Sequence, residues 1–236
     1  MDPLPAQPNR SLMEGLEVLL ALAQRGEAVG VRELARELGM TPTRVQRYLA
    51  TLAHAGLTER TPQRRYGVGA GIHALSAMSL SASGLAGRAM QVLPPLGDLG
   101  LKVALGVLWR DTVNYLYFSL PGMPVSEMLG HDRGFPARRS SIGMLLLAEH
   151  DASHVGRFFG KEAGLTEALE KVRTAGYARV EQPDGETSLA VAVGNPPVAG
   201  LALSGIIREA ELESHLKRLR EAATQLAATS RKKETL

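Results

Sequence analysis

The sequence predicts an α+β protein: an N-terminal winged helix-turn-helix over residues 11–69, a linker helix over 70–84, and a C-terminal domain over 85–229 with a mainly antiparallel sheet. Three observations carry this. Two short amphipathic helical segments, Val31 to Leu38 and Thr41 to Leu52, are joined through Gly39, which is the pattern of a helix-turn-helix. Two β-type runs flank Pro62-Gln63 directly behind them, as a wing would. Farther on, strand-like runs come in groups with helices around them rather than in strict alternation, which favours antiparallel pairing.

In chain order, Pro3, Pro5 and Pro8 block regular structure, so residues 1–10 read as a tail. Ser11 is the expected cap of a helix to about Arg25, with Leu12, Leu16, Leu19, Leu20 and Ala23 inward and Gly26 ending it. In the next helix Val31, Leu34, Ala35 and Leu38 share a stripe, and Gly39 supplies the left-handed C-cap. Thr41 is placed to cap the following helix with its hydroxyl, and Pro42 to occupy the first helical position, where its missing N–H costs nothing. Val45, Leu49 and Leu52 recur on one face of that helix.

Off that face lie Thr43, Arg44, Gln46 and Arg47. The N-terminal end of a recognition helix reaches base edges in the major groove, where Arg forks onto guanine and Gln onto adenine, while hydroxyls such as Thr41 suit phosphates. The wing pairs Leu57 to Arg60 with Arg65 to Val68, placing Arg64 and Arg65 near its tip. From Thr41 to Val68 the charged residues are Arg44, Arg47, Arg60, Arg64 and Arg65 against Glu59 alone, a candidate phosphate footprint or a solvated basic patch. Gly67, Gly69 and Gly71 are not spaced as a dinucleotide fingerprint and follow a hairpin, so they read as wing exit and linker.

Beyond a linker helix at Ile72 to Met78 and a boundary at Ser79 to Gly84, a helix from Leu85 to Leu99 must kink or split at Pro94-Pro95. Strands are expected at Val103 to Trp109, Val113 to Ser119 and Val125 to Leu129. Ser140 or Ser141 caps a helix to Ala148, and helices follow at Ala152 to Phe159 and Thr166 to Ala175. Strands at Tyr177 to Glu181, Ser188 to Val193 and Val198 to Ser204 precede a closing helix, Glu209 to Ala228, and a basic tail at 230–236.

Composition sets limits. Hydrophobic residues make up 44% of the chain, enough for packed cores, and the formal net charge of +3 does not by itself identify a partner. The absence of cysteine excludes disulfides, thiolate metal sites and cysteine catalysis within the chain and permits a reducing cytoplasm, the expected location. No signal peptide and no apolar run long enough to span a bilayer are read. His150 and His154 have a helical metal-site spacing, but Asp151 reads as the start of a new helix that would separate the imidazoles. Trp109 reads as a packing residue. No nucleophile elbow, phosphate-binding loop or paired metal ligands are present, so neither an enzyme nor a resident cofactor is expected. Fold alone does not separate a regulator from an enzyme or from a winged helix used for protein contacts.

These segments together resemble the IclR family of bacterial transcriptional regulators over nearly the whole chain. The resemblance lies in the leucine-rich first helix, Val31 to Met40, Val45 to Leu52 with Gly56-Leu57, and Arg65 to Gly69. In the C-terminal half it lies in Pro136 to Ala148, Gly176 to Ala178, Gly185 to Val193 and Val198 to Gly205. It implies a GAF-like effector domain, and homodimers or homotetramers on palindromic double-stranded operator DNA. Carried over by position, it implies an effector site at Ser140, Ser141, Ile142, Ser188, Ala190, Ala202 and Ser204, with Glu181. The chain departs from the family at Arg138-Arg139-Ser140, where His-Ala-Thr is frequent, at Ser188 where Cys is frequent, and at Ala192 where Pro is. From the residues themselves, Ser140 and Ser141 at a helix N-terminus suit an anion, and Arg138 can add a bidentate fork to a carboxylate, so a small carboxylate effector is expected. The same serines also read as ordinary cap or strand residues, and Arg138 as exposed or paired with Glu127 or Asp132.

Overall fold

The computed structural model describes residues 9–124, 127, 134–160 and 163–228. The chain divides into two units, Met1–Ala82 and Ser83–Leu236. In the first, α1 (Arg10–Arg25), α2 (Val31–Glu37) and α3 (Pro42–His54) precede an antiparallel hairpin of β1 (Thr58–Arg60) and β2 (Tyr66–Val68), and α4 (Ala70–Ser83) follows.

Helix α1 departs from the sequence expectation in its cap and its face. Asn9, not Ser11, is the N-cap, its side-chain oxygen accepting from the Leu12 amide at 3.0 Å, so Arg10 already belongs to the helix. The inward stripe is Glu14, Val18, Ala21 and Leu22, whereas Leu12 and Leu16 are 62% and 51% exposed, Leu19 and Leu20 half-buried and Ala23 exposed. Leucines lie on most sides of this helix, so hydrophobicity alone does not choose a face. The hydroxyl of Tyr48 and the guanidinium of Arg44 on α3 choose it, by drawing Glu14 inward.

Gly39 takes φ 62 between α2 and α3, as a left-handed cap requires. Thr41 stands at the N-cap of α3, but its hydroxyl makes no capping bond. Its carbonyl already accepts from the amides of Arg44 and Val45 at 3.0 and 3.2 Å, and Pro42 has no amide to offer. Val18, Leu22, Leu34, Val45, Leu49 and Tyr66 close the core of this unit. Val29 adds a rung to the wing that the sequence did not reveal, exchanging two 2.8 Å backbone bonds with Tyr66. Gly69 and Gly71 lie against the turn after α3: a Cβ at either would meet the Gly56 carbonyl oxygen at 2.5 or 2.7 Å. Their role is close backbone packing, which agrees with the wing-exit reading.

In the second unit, α5 (Leu85–Val92) stops before Pro94-Pro95 and a 3-10 turn (Pro94–Leu99) continues, the split expected there. The strands β3 (Lys102–Trp109), β4 (Thr112–Ser119), β5 (Phe135–Pro136), β6 (Ala178–Glu181), β7 (Thr187–Val193) and β8 (Ala199–Gly205) form one antiparallel sheet in the order β5-β4-β3-β8-β7-β6. Of the strand expected at Val125 to Leu129 only Glu127 lies among the described residues, its amide donating to the Pro124 carbonyl at 3.0 Å, and β5 was not foreseen. Between β5 and β6 come α6 (Ser141–Ala148), α7 (Ala152–Phe159) and α8 (Ala163–Ala175); α9 (Leu212–Ala227) follows a short 3-10 turn that takes up Glu209–Glu211.

Alternation along the strands separates two cores. Val103, Leu105, Leu189, Val191, Val193, Leu201 and Leu203 face α5 and α9, where Leu93, Leu216, Leu219 and Leu226 meet them. Ala178, Ala190 and Ala202 face α6 and α8, where Ile142, Leu145, Leu169 and Val172 meet them. The first face carries large side chains and the second small ones, and that asymmetry positions the candidate site. Among the described residues, no helix is long and apolar enough to cross a membrane.

Candidate functional site

On the sheet face toward α6, the register lines up small residues in rows. Lys102 pairs with Ser204 and Ser204 with Ser188; one row on, Ala104 pairs with Ala202 and Ala202 with Ala190. Residues this short do not fill the space between sheet and helix. A cavity of about 490 Å³ remains, bounded by these rows, the start of α6, the β6–β7 turn and the aromatic rings of Tyr115, Phe118 and Phe135. Its volume falls in the range typical of small-molecule sites.

Six of the residues named from sequence line this cavity: Ser140, Ser141, Ile142, Ser188, Ala202 and Ser204. Three do not. Ala190 belongs to the same row but is fully covered in the core beneath α6. Glu181 lies on the edge strand β6 and pairs with Arg179 at 3.3 Å. Arg138 lies with its guanidinium 5.9 Å from the Phe159 ring centroid, while its neighbour Arg139 lines the cavity. The 3-10 turn Ala137–Arg139 decides between the two arginines, and sequence alone does not specify which way such a turn faces. Lys102, Glu186, Asp184, Gln182 and Tyr115 were missed. They become neighbours only through strand order, although the alternation of β3 could have flagged Lys102.

The cavity has an anion-favouring end. Ser140 caps α6, its hydroxyl oxygen accepting from the Gly143 amide at 3.2 Å. The amides of Ser141 and Ile142 fall in the first helical turn, where no intrahelical acceptor exists. Ser141 and Ser188 share a hydrogen bond of 2.7 Å across the helix–sheet gap. The Arg139 guanidinium lies 5.8 Å from the Phe135 ring centroid, and its carbonyl accepts from Gln182 Nε2 at 3.0 Å, which ties the β6–β7 turn to the start of α6. At the other end Lys102 Nζ donates to Glu186 at 2.5 Å, and Asp184 accepts from the Glu186 amide at 3.1 Å. Burial pushes the Tyr115 phenol above its ordinary range, with the Ser140 hydrogen bond acting the other way, so at neutral pH it is an uncharged hydrogen-bonding group. The site therefore offers Arg139, first-turn amides and hydroxyls at one end, the Lys102–Glu186 pair and Asp184 at the other, and an apolar wall between.

In the first unit, the residues named as DNA-reading are held by distinct contacts. Thr41, Thr43 and Arg47 are exposed, with Arg47 5.7 Å over the Tyr48 ring. Arg44 pairs with Glu14, whose carboxyl is held below the usual range chiefly by the Tyr48 hydroxyl and then by Arg10. Gln46 Nε2 donates to the Tyr66 hydroxyl at 2.7 Å, joining α3 to the wing. Arg64 occupies the tip at φ 63, while Arg65 folds back to donate to the Ala28 carbonyl at 2.8 Å and reach Glu33 at 3.4 Å.

Two side readings change. Asp151 does cap a new helix, accepting from the His154 amide at 2.7 Å, but the turn brings His150 and His154 together instead of separating them, with ring centroids 4.1 Å apart and stacked. No cluster of three or more metal-ligating side chains occurs among the described residues. Trp109 is 52% exposed beside Arg110 rather than packed, on the last rung of β3, where it pairs with Thr112 next to the β3–β4 turn.

Comparison with known proteins places the chain. Residues 11–62 match the IclR helix-turn-helix domain. The HTH-type transcriptional regulator BhcR of Paracoccus denitrificans is 26% identical, over 92% of this chain and 86% of its own. An IclR family transcriptional regulator from Brucella abortus shares the fold at TM-score 0.73 and 22% identity, over 96% of this chain and 95% of that one. So does an IclR homolog from Microbacterium hydrocarbonoxydans complexed with 4-hydroxybenzoate, at TM-score 0.67 and 19% identity, over 92% of this chain and 97% of that one. Residues 11–62 thus carry an IclR helix-turn-helix domain, and over most of its length the chain is similar to an HTH-type transcriptional regulator.

Proposed function

We propose that this regulator reads a palindromic operator through α3, with Thr41, Thr43, Arg44, Gln46 and Arg47 toward the major groove and Arg64 and Arg65 toward flanking phosphates, and that a small carboxylate in the C-terminal cavity alters that binding. The observation that carries the effector half is the cavity's anion-favouring end. Arg139, the first-turn amides of α6 and the hydroxyls of Ser141 and Ser188 line one end of a space that Ala104, Phe118, Phe135 and Ala202 also wall, while Lys102, paired with Glu186, and Ser204 lie toward the other end. The Microbacterium homolog, whose bound 4-hydroxybenzoate is itself a carboxylate, supports the same class. A homodimer is part of the proposal, because α4 leaves Leu75 and Met78 55% and 66% exposed and a palindrome calls for two copies.

The test titrates benzoate-class acids and their uncharged amides against the protein–DNA complex. The acids are expected to change the bound fraction and the amides not. Arg139→Ala should move the midpoint to about tenfold higher acid, the weight of one charge-assisted hydrogen bond of roughly 1.5 kcal/mol or more. Equal responses to acid and amide would remove the carboxylate from the proposal.

A further inference from the structure

Glu14 is a charged residue on the inward stripe of α1, 8% exposed in an otherwise apolar core. Its partners come from both ends of the fold. Arg10 Nε, one turn earlier, donates to Oε1 at 2.8 Å; on Oε2 the Tyr48 hydroxyl donates at 2.6 Å and Arg44 Nη2 donates as well. Neutralising the carboxylate requires only one cation, and Arg10 supplies it while remaining 83% exposed at its side chain. The second ion pair spans 30 positions and restrains the third residue of α3, on the edge that carries Thr43 and Arg47. Arg44 stays 41% exposed at its side chain, so the guanidinium is held at one nitrogen and still accessible. A cation in the first turn of a helix opposes the macrodipole, and fixing a long side chain costs rotamer entropy. The Glu14 carboxylate offsets both in the free protein.

We infer that Glu14 is a specificity-determining positioning residue, presetting the Arg44 guanidinium to read one base position in each operator half-site. The inference rests on the DNA-binding reading above. A guanidinium held at Nη2 is restrained in position while its remaining N–H groups stay available to match O6 and N7 of guanine. Arg47 leans on the Tyr48 ring without such a tether, so the two arginines differ in role: Arg44 selects a base, and Arg47 tolerates more than one.

The test selects binding sites from a randomised duplex library with the full-length parent, Glu14→Gln, Arg44→Lys and Arg44→Ala, and measures affinity for one fixed non-consensus duplex. Glu14→Gln keeps the size and an acceptor for Tyr48 but removes the charge. The parent is expected to select one guanine per half-site that Glu14→Gln and Arg44→Ala both lose by about tenfold, the other positions holding. Glu14→Gln should also bind the fixed duplex more tightly and with steeper salt dependence, because the released Arg44 becomes available to phosphates. Added to Arg44→Ala, Glu14→Gln should change no base preference further. Should Glu14→Gln fail to fold, Arg44→Lys decides, since Lys keeps the ion pair but not the fork: the guanine preference must fall while binding to the fixed duplex holds. A guanine preference that survives in Glu14→Gln, or in Arg44→Lys, overturns the inference and leaves the DNA-binding reading standing. A parent that selects no consensus at all overturns both.

Discussion

Substituting Gly143 by alanine sets two physical effects against each other at the candidate site. By helix propensity alone, Gly→Ala within α6 should stabilise by about 1 kcal/mol. The tertiary structure reverses the sign. A Cβ at Gly143 would lie 2.2 Å from the Ala137 carbonyl oxygen and 2.4 Å from its Cα. Both are backbone atoms of the 3-10 turn, so no side chain can rotate away, and helix and turn must part by roughly an ångström to restore contact distance. Overpacking of this kind costs about 3 kcal/mol at the upper end of its usual range, which leaves a net loss of about 2 kcal/mol. For a domain of this size that lowers the melting temperature by roughly 4–8 °C. The same parting separates Ser140 and Arg139 from the start of α6, so carboxylate binding should weaken with it. Thermal and urea unfolding of the full chain, followed by a probe of the C-terminal unit, measures the first effect; ligand titration measures the second. An alanine variant as stable as the parent, or more so, would show that the turn yields freely and refute the argument.

Arg64→Ala should weaken binding to all DNA sequences alike and lower the slope of log affinity against log salt by about one, whereas Arg47→Ala should cost about 1–3 kcal/mol where it touches a base; gel shifts across a salt series separate the two. Leu49→Ala removes a fully buried side chain from the N-terminal core and should cost about 2–5 kcal/mol, read as loss of the first unfolding transition and of DNA binding. Burial, and then the neighbouring His154, hold His150 below its ordinary value of 6.5. The unfolded chain therefore takes up this proton first, so the stability linked to His150 is present above about pH 6.5 and is lost as pH falls through the lowered value. His150→Gln should flatten the melting temperature of the C-terminal unit over that window. The depressed carboxyls of Glu14 and Asp151 act lower, below about pH 4.5, and should leave the window untouched.

Local chemistry was sufficient for the elements themselves. Gly39 and Pro42 mark the helix-turn-helix, Pro94-Pro95 the split after α5, Ser140 the start of α6, and alternation the strands β3, β4, β7 and β8, because caps, breakers and period-two patterns act over a few residues that the sequence lists side by side. The serines of the cavity were named through the family resemblance, since by local chemistry they read equally well as ordinary cap or strand residues. Other decisions belong to contacts far apart in the chain. Glu14 turns inward because Tyr48 and Arg44 wait for it on another helix, and this rotates α1 away from the face its leucines suggest. Arg139 faces the cavity rather than Arg138 because a three-residue turn packs against α6 through Gly143. Lys102 and Glu186, 84 positions apart, become partners only once β3, β8 and β7 lie side by side in the sheet. A one-dimensional pattern states which faces are apolar. Which polar groups those faces meet depends on helix rotation and strand order, and these are set by packing the whole unit at once.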